Sequence, residues 1–445
     1  MPVEIYAPDK IAVELTPEAN ALVPPSLPDS VQDGVFTSFG VDLVDAALQF
    51  LQVQSITRLY REIEPYDVDP ALLESMRGTY VVRFAGTVDL ATIIQVLATT
   101  PGVAHVERVG MGGPAVTPND PKLAEQWGLD AIRAPLAWDR QKGAGFTKIA
   151  VIDSGCDKSH PDLAPRLLGG WDFCENPSVP AGFQRVGDFT TPDDDPQDEA
   201  GHGTAMAGIL GAATNNGVGV AGTTWAGAIR AGRVVCRTLH QVTGELGSAL
   251  NTDELAKAVK WGGEWSHVVN LSLYSPANAK HLSDAVQYAL QARTVLVAGM
   301  GNFNNNVPLY PAAYPGVIAV GAIQKQRFRW VQGGSQGSNT GTHISVTAPG
   351  KNIAGLDLWA SFGSPQYGSS TGTSPAAAFV SGVAALLISC NVQLTAAQVK
   401  QVIEDTASTS VGEGGLPWPN PSYGHGVVDA RAAVDRVLDG PLPPP

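Results

Sequence analysis

The sequence predicts an α/β protein whose main domain is a parallel sheet covered by helices on both faces, preceded by a small α+β domain. From about residue 119 to 438, apolar runs alternate with helical stretches, and strands that are apolar throughout are typical of parallel sheets buried on both faces. In residues 1–108, apolar and polar residues instead alternate as in half-exposed strands, and two stretches have the apolar spacing of amphipathic helices. The length of 445 residues suits two domains better than one.

In the first domain, KIAVELT and YVVRFAG alternate as strands do, and GVAHVERV closes the domain with another strand. VDLVDAALQFLQV and DLATIIQVLATT carry apolar residues at helical spacing. The expected order of strand, helix, strand, strand, helix, strand is that of a ferredoxin-like domain. Residues 109–118 are rich in glycine and proline and indicate an exposed linker, and residues 439–445 a frayed tail.

The second domain, residues 119–438, contains six stretches that we expect to be buried strands. These are KIAVIDSG, AIRAGRVV, HVVNLSL, TVLVAGMGN, GVIAVGAI and HISVTAPG. In such a sheet, ligands and catalytic groups lie at the carboxyl ends of the strands.

Charge and composition argue against several classes of partner. The formal net charge is −14 and lysine and arginine are not clustered, so neither nucleic acid nor an anionic membrane is expected to bind. No apolar run approaches the ~18 residues of a membrane span. The start, MPVEIYAPDK, lacks the pattern of a secretory signal, which favours the cytoplasm, or an extracellular location if a leader was removed.

The four cysteines have no paired CxxC spacing, and we interpret them as buried thiols rather than as disulfides or a metal site. They are Cys156, Cys174, Cys236 and Cys390.

Two stretches place an acid and an imidazole where such a sheet could bring them together. Asp153 ends the apolar run KIAVIDSG, and His202 lies between glycines at the start of a helical stretch of small residues, GHGTAMAGILGA. An acid at a strand end is more often a turn residue, and a lone histidine is more often a structural one. A general base, however, must be held rigidly, with one ring nitrogen facing the nucleophile and the other facing an acid. A histidine at the start of a helix is held in that way.

A third stretch, GTSPAAAFVSG, places Ser374 before a helix. Pro375 is tolerated at the first helical position and favours extended backbone before it, so we expect Ser374 at the N-cap. There the helix dipole stabilises negative charge. A nucleophile and a simple capping serine have the same geometry, so this stretch alone does not separate them.

Taken together, VIDSGCDKSHPDL, GHGTAMAGI and GTSPAAAFVSGVAALL resemble the three signatures of the subtilisin-like serine proteases, the subtilases, in the order Asp, His, Ser. The resemblance extends over nearly all of residues 117–434. It implies a serine endopeptidase in which Ser374 attacks the scissile carbonyl, His202 takes its proton and Asp153 holds the imidazole. The family usually has Met and Pro where this chain has Pro375 and Ala378.

The resemblance also implies an oxyanion hole and a substrate groove. VLVAGMGNFN is similar to the family strand that supplies an asparagine donor to the oxyanion, here Asn302, alongside the backbone N–H of Ser374. NLSLYSPAN is similar to the segment that pairs with the substrate backbone, and YPAAYPGVIAVGA to the segment behind the specificity pocket, which we expect to be small or apolar. The implied substrate-binding residues are Leu273, Tyr274, Ala298, Gly301 and Leu309.

Calcium is the ion that the resemblance implies. Asp162 in HPDL, Asn216 in TNNGVGV and Asp120 in PNDP match positions that bind calcium in relatives, although each could be part of a solvated turn. The acidic run PDDDPQDEAGHGT is either a weaker second ion site or a hydrated loop.

The first domain resembles a subtilase propeptide, which implies an intramolecular chaperone and inhibitor that is cut from the chain within residues 109–118. The expected partners are a peptide or protein substrate and the chain's own propeptide, and the expected state is a monomer. Two other functions remain open: a catalytically silent scaffold that binds peptides, and a serine esterase using the same triad. Activity on small esters without proteolysis would favour the esterase.

Overall fold

The computed structural model describes residues 6–28, 35–49, 51–60, 69–85, 89–110, 117–358 and 367–444. Contacts within the chain divide it into two compact units, Met1–Pro114 and Ala115–Pro445. Most of the predicted linker, with the processing site expected there, lies outside the described residues, as does the last residue of the predicted tail.

The first unit is a four-stranded antiparallel sheet with helices packed on it. The strand order is β2-β3-β1-β4, the order of a ferredoxin-like fold. Its elements, in chain order, are β1 (Tyr6–Leu15), α1 (Pro17–Asn20), α2 (Asp42–Leu48), β2 (Val53–Arg58), α3 (Pro70–Arg77), β3 (Thr79–Phe84), α4 (Leu90–Leu97) and β4 (Val103–Gly110).

The helix predicted from VDLVDAALQFLQV is shorter than its apolar pattern suggests, because α2 ends at Leu48 and Val53 already belongs to β2. That strand was not located from the sequence. The helix α3 between β2 and β3 is an addition to the ferredoxin-like order, and it begins at Pro70 with Asp69 as a cap that accepts from the Ala71 N–H at 2.7 Å.

The second unit is built on seven parallel strands in the order β16-β13-β12-β11-β5-β8-β6. These strands are β5 (Lys148–Asp153), β6 (Leu167–Asp172), β8 (Ala228–Arg233), β11 (Val268–Leu271), β12 (Val295–Gly299), β13 (Ile318–Ile323) and β16 (Val346–Pro349). Six of them lie in the six predicted stretches. The sequence missed the edge strand β6, whose glycine pair interrupts the apolar pattern.

Helices cover both faces of this sheet, as predicted. They are α5 (Trp127–Ala131), α6 (Ala134–Trp138), α7 (His202–Gly211), α8 (Thr252–Trp265), α9 (Lys280–Gln291), α10 (Thr373–Cys390), α11 (Ala396–Asp405) and α12 (Ala430–Asp439). Alternate residues of β5 show the two layers, since Ile149 and Val151 pack with the core of α7 and α10, whereas Ala150 and Ile152 pack with that of α8 and α9. The fold is therefore α/β, with a parallel sheet covered by helices on both faces, as predicted.

Three small antiparallel sheets complete the unit, in the orders β10-β9-β7, β14-β15 and β17-β18. Their strands are β7 (Phe183–Arg185), β9 (Cys236–His240), β10 (Leu246–Ala249), β14 (Val331–Gln332), β15 (Gln336–Gly337), β17 (Ile353–Leu356) and β18 (Tyr367–Ser370). All four cysteines are free thiols, three of them buried.

The central helix α10 packs between α7 and the strands β12 and β13. Within the described part of the chain it is the one helix long and apolar enough to cross a membrane by length and composition, but 89% of it is buried inside the protein. Its N-terminus lies near the carboxyl ends of β5, β11 and β12, which are neighbours in the sheet. Residues from these three strand ends and from the starts of α7 and α10 therefore meet at one edge.

Candidate active site

The end of β5 and the start of α7 bring Asp153 and His202 together. His202 Nδ1 lies 2.7 Å from Asp153 Oδ1. The carboxylate is buried, with 2% of the side chain exposed, whereas 43% of the imidazole is exposed. A Cβ at Gly203 would lie 2.1 Å from the carbonyl oxygen of Gly155, so only glycine allows α7 to begin this close to the Asp153 loop.

The loop before α7 is held by a buried carboxylate whose role the sequence did not reveal. Asp198, in the acidic run, accepts from the Ser154 hydroxyl at 2.9 Å and from the Thr204 hydroxyl at 2.6 Å. Ser154 Oγ in turn accepts from the Gly203 N–H at 2.9 Å. These bonds fix the turn after Asp153 against the first turn of α7, which fixes the distance between Asp153 and His202.

Charge controls the protonation of His202. Burial acts to lower the pKa of the imidazole, but the charge of Asp153, the hydrogen bond to it and the charge of Asp198 outweigh burial and raise the pKa above its ordinary value. The acid therefore stabilises the imidazolium form that a general base adopts after it has taken a proton.

The sequence placed Ser374 at the N-cap of its helix, and that prediction was wrong by two positions. The helix α10 begins at Thr373 with Gly372 as N-cap, so Ser374 and Pro375 are the second and third helical residues. Both still lie in the first turn, where a missing proline N–H costs no intrahelical hydrogen bond. The fully buried Ala378 continues the same unbroken helix.

Ser374 is tied to the end of β11 by two hydrogen bonds. Its Oγ–H donates to the carbonyl oxygen of Ser272 at 3.3 Å, and the Ser272 hydroxyl donates to the carbonyl oxygen of Ser374 at 3.1 Å. In the described chain the Ser374 hydroxyl forms no hydrogen bond with His202, although both side chains line one cavity. Catalytic hydrogen bonds of this kind are often made only when substrate is bound.

Asn302 supplies the capping group that the sequence assigned to Ser374. Its Oδ1 accepts from the backbone N–H of Thr373 at 2.8 Å and from the Thr373 hydroxyl at 3.0 Å. Because Oδ1 is fixed by these donors, the Nδ2 group of the same amide is left to point away from them. Gly372 has φ 149°, and a Cβ there would lie 2.9 Å from Asn302 Nδ2, so glycine is required for this contact.

The cavity around these residues has a volume of about 800 Å³. It is lined by four predicted catalytic residues, Asp153, His202, Asn302 and Ser374. Three of the predicted substrate-binding residues, Leu273, Tyr274 and Gly301, also line it. The other two predicted residues do not line the cavity. Ala298 is buried within β12. Leu309 packs behind Gly301, since a Cβ added at Gly301 would lie 2.4 Å from Leu309 Cδ1.

Two further features of the cavity were not found from the sequence. The polar strands β9 and β10 contribute Arg237 and residues 246–250 to its lining, and their lack of an apolar pattern concealed them. The ring of Tyr274 forms an edge contact with Phe303, with centroids 5.2 Å apart. Tyr274, which lines the cavity, and Phe303 are each 43% exposed.

The three predicted calcium ligands lie close to one another. Asp162 Oδ1 accepts from Asn216 Nδ2 at 2.8 Å, and the Asp120 carboxylate accepts from the Asn215 N–H at 2.8 Å. The pKa of Asp162 is raised to about 6. Burial and the charge of Asp120 raise it, and they outweigh the hydrogen bonds from Val220 and Asn216, which lower it. The cluster is thus two buried carboxylates that repel each other.

Two buried oxygens at this cluster have no partner among the described residues, Asp120 Oδ1 and Tyr367 Oη. The described residues contain no group of three or more His, Cys, Asp and Glu side chains arranged to hold a metal. Calcium, however, also takes amide and backbone carbonyl oxygens. Orphaned oxygens beside uncompensated carboxylates therefore fit a hard cation such as calcium.

The chain is similar to known proteins over most of its second unit. The model of the subtilase family matches residues 145–426. Thermitase of Thermoactinomyces vulgaris is 36% identical over 300 residues, which cover 67% of this chain and 94% of that protein. An extracellular protease of Xanthomonas campestris is 32% identical over 400 residues, covering 82% of this chain and 65% of that protein.

Among solved structures, a protease from Pseudoalteromonas arctica PAMC 21717 superimposes with a TM-score of 0.62 at 28% sequence identity. The match covers 72% of this chain and all of that one. The family, the fold and the enzyme class expected from the three motifs are confirmed by these matches.

Proposed function

The chain belongs to the subtilase family and is a subtilisin-like serine endopeptidase, and from that premise we propose that it cleaves peptide bonds with Ser374, His202 and Asp153 as its catalytic triad. The observation that carries this assignment is the 2.7 Å contact between His202 Nδ1 and Asp153 Oδ1 in a cavity that Ser374 also lines. That contact directs the other imidazole nitrogen, Nε2, away from the acid and makes it available to the nucleophile.

In the proposed reaction, Ser374 Oγ exchanges its bond to Ser272 for one to His202 Nε2 by rotation of the side chain. Oγ attacks the scissile carbonyl carbon while Nε2 takes the hydroxyl proton, and a tetrahedral oxyanion forms. The imidazolium then gives that proton to the leaving amine, which leaves an acyl group on Ser374. Water, deprotonated by the same nitrogen, attacks the acyl carbon and releases the acid and free serine.

The oxyanion is stabilised by two donors in this proposal, Asn302 Nδ2 and the backbone N–H of Ser374. Support comes from the fixed position of Asn302 Oδ1, which orients Nδ2 before substrate arrives. A donor that is already oriented costs no reorganisation in the transition state, and one such donor typically contributes about 3 to 4 kcal/mol. Pro375 removes no donor that this mechanism uses.

Substrate would bind as an extended strand between residues 272–274 and the strand β10. In the described sheet β10 has β9 as its neighbour and presents its other edge, and extended peptides add to such edges. Leu309 behind Gly301 and the ring of Tyr274 would restrict the specificity pocket to small or apolar side chains. A panel of tetrapeptide substrates tests this, since a strong preference for Lys, Arg or Asp before the scissile bond would contradict it.

Calcium is proposed as a structural ion held by Asp162, Asp120 and Asn216. Bound there, the ion would neutralise two buried carboxylates and so stabilise the loop that follows α7. The catalytic steps do not involve it.

We also propose that the first unit acts as a propeptide, that the chain cuts itself within residues 109–118, and that the mature enzyme is a monomer. The ferredoxin-like strand order of the first unit supports this role. The comparisons do not support the cytoplasm, the location that the sequence favoured, and one relative is named an extracellular protease. We therefore propose an extracellular site of action, to be tested by fractionating cells that express the full chain.

The direct test of function is casein hydrolysis by the purified chain, with and without a serine-directed inhibitor. The proposal expects inhibitor-sensitive hydrolysis that Ser374→Ala abolishes. Hydrolysis of small esters alone would indicate the esterase instead. Peptide binding without any cleavage would indicate the silent scaffold.

A further inference from the structure

The cavity that holds the triad also receives a charged side chain that takes no part in the proposed catalysis. Arg237, in β9, lines it together with residues 246–250 of β10 and the loop after it. Arg237 lies directly opposite Ser248 in the antiparallel pairing of the two strands. Both residues therefore point to the same face of this small sheet.

The lining and the burial pattern of β9 show that this face is the one toward the cavity. Arg237 lines the cavity together with Ser248, whereas Thr238 does not. Thr238, the next residue after Arg237, is on the other face and only 1% exposed. The alternation of side chains along a strand thus directs the guanidinium of Arg237 toward the space where substrate binds.

No described residue neutralises the Arg237 guanidinium. Within the described ranges Arg237 forms neither an ion pair nor a side-chain hydrogen bond. Among the described residues that line the cavity it is the one permanent cation, and the only carboxylate there, Asp153, is already engaged by His202. This free positive charge lies in a protein whose formal net charge is −14.

A peptide that covers Arg237 displaces water from a guanidinium group with five N–H donors. A carboxylate side chain replaces the lost water best, because it accepts two parallel hydrogen bonds from the guanidinium. The Ser248 hydroxyl on the same face offers a further donor. An extended peptide directs alternate side chains to each wall of the groove, so one of them faces Arg237.

We propose that Arg237 and Ser248 form a subsite for an acidic side chain, Asp or Glu, on the part of the substrate that lies N-terminal to the scissile bond. This subsite rests on the proposed function, in which substrate extends between residues 272–274 and β10, and it places the acyl part of the peptide beside β10. The subsite is separate from the specificity pocket near Gly301. It adds a preference for a negatively charged side chain at a second position of the substrate.

The test uses the mature enzyme and peptides that differ only by Glu, Gln or Lys at one position at a time N-terminal to the scissile bond. The quantity measured is the ratio of kcat/KM for Glu to that for Gln within one enzyme preparation, so the amount of active enzyme cancels. At one position we expect wild type to prefer Glu by roughly 3- to 10-fold. Added salt should reduce that ratio, since exposed charges are screened.

Arg237→Gln should bring the ratio to about 1, and Arg237→Glu should make Lys the preferred residue at the same position. Lys325→Gln is the matched control, because it removes one positive charge from an exposed residue that does not line the cavity, and it should keep the wild-type ratio. An Arg237→Gln enzyme with an unchanged ratio, or a wild type that cleaves all the peptides equally, overturns the subsite and leaves the protease function standing. If no peptide is cleaved, the proposed function fails and the subsite fails with it.

Discussion

Asn302 accepts two hydrogen bonds from Thr373, the residue that precedes the proposed nucleophile, at 2.8 Å from its backbone N–H and 3.0 Å from its hydroxyl. The same hydroxyl accepts from the Gly301 N–H at 3.1 Å. The oxyanion donor and the helix that carries Ser374 are therefore held by one residue, and they are fixed relative to each other before substrate binds.

This relationship predicts the behaviour of oxyanion-hole variants. Asn302→Ala should lower kcat by about 10²- to 10³-fold with a small change in KM, because the donor acts on the transition state. Steady-state kinetics on one peptide substrate measures both constants. A loss that falls wholly on KM would show that Asn302 binds substrate rather than stabilising the oxyanion.

Thr373→Val removes the bridging hydroxyl and keeps the side-chain shape, and we expect kcat to fall about 10-fold, because the hydroxyl's bonds to Asn302 and Gly301 are both lost. Thr373→Ser keeps the hydroxyl and should stay near the wild-type rate. Equal rates for the valine and serine variants would contradict the positioning role.

The raised pKa of His202 predicts the acid limit of activity. The general base must be neutral, so kcat/KM should rise with pH through the His202 pKa. Because Asp153 and Asp198 raise that pKa above its ordinary value, the midpoint should lie above about pH 6.5. Asp153→Asn should move the midpoint to lower pH and reduce kcat by about 10⁴-fold.

The pH profile is best measured with peptides that lack titratable side chains, alongside circular dichroism to show that the fold persists at each pH. A wild-type midpoint below pH 6, or one that Asp153→Asn leaves in place, would contradict the proposed pairing of Asp153 with His202.

Calcium removal should destabilise the second unit. In a Ser374→Ala background, which excludes self-digestion, EDTA should lower Tm by about 5 to 10 °C, since a saturating ligand typically contributes a few kcal/mol. Calcium should restore Tm and magnesium should not. Asp162→Ala should abolish the response, whereas Asp284→Ala, at an exposed surface position, should retain it. If EDTA left the Tm of the Ser374→Ala protein unchanged, the structural calcium ion would be ruled out.

Self-processing gives a further prediction. Purified wild type should shorten to a product whose new N-terminus, identified by mass spectrometry, falls within residues 109–118. Ser374→Ala should stay at full length when kept alone and be cut when active enzyme is added. A wild type that stays intact while it digests casein would show that the first unit is not a propeptide that the chain removes.

The parallel sheet and the proposed triad could be predicted because each rests on a local pattern. The strands β5, β11 and β12 are apolar on both faces, and Asp153, His202 and Ser374 lie in short motifs of characteristic residues. The cap of α10 could not be predicted in the same way, because its capping oxygen belongs to Asn302, 71 residues earlier in the chain.

Other parts of the site had no periodic signal at all. The strands β9 and β10 are polar and short, so no sequence pattern singles out Arg237 or Ser248. Asp198 belongs to the acidic run that the sequence left open as a second ion site or a hydrated loop, yet it is 3% exposed and accepts from the Gly201 N–H in the turn before His202. The bond from Ser154 to Asp198 joins residues 44 positions apart, and only the fold reveals it.

The central claim is that Ser374 is a nucleophile activated by His202, and covalent labelling tests it most directly. Purified enzyme is treated with a sulfonyl fluoride, and the modified residue is located by peptide mass mapping while residual peptidase activity is measured. We expect one adduct per chain, on Ser374, with activity lost in proportion to labelling, and much slower labelling of His202→Ala. Full activity after complete labelling of Ser374, or inactivation by an adduct on another residue, would contradict it.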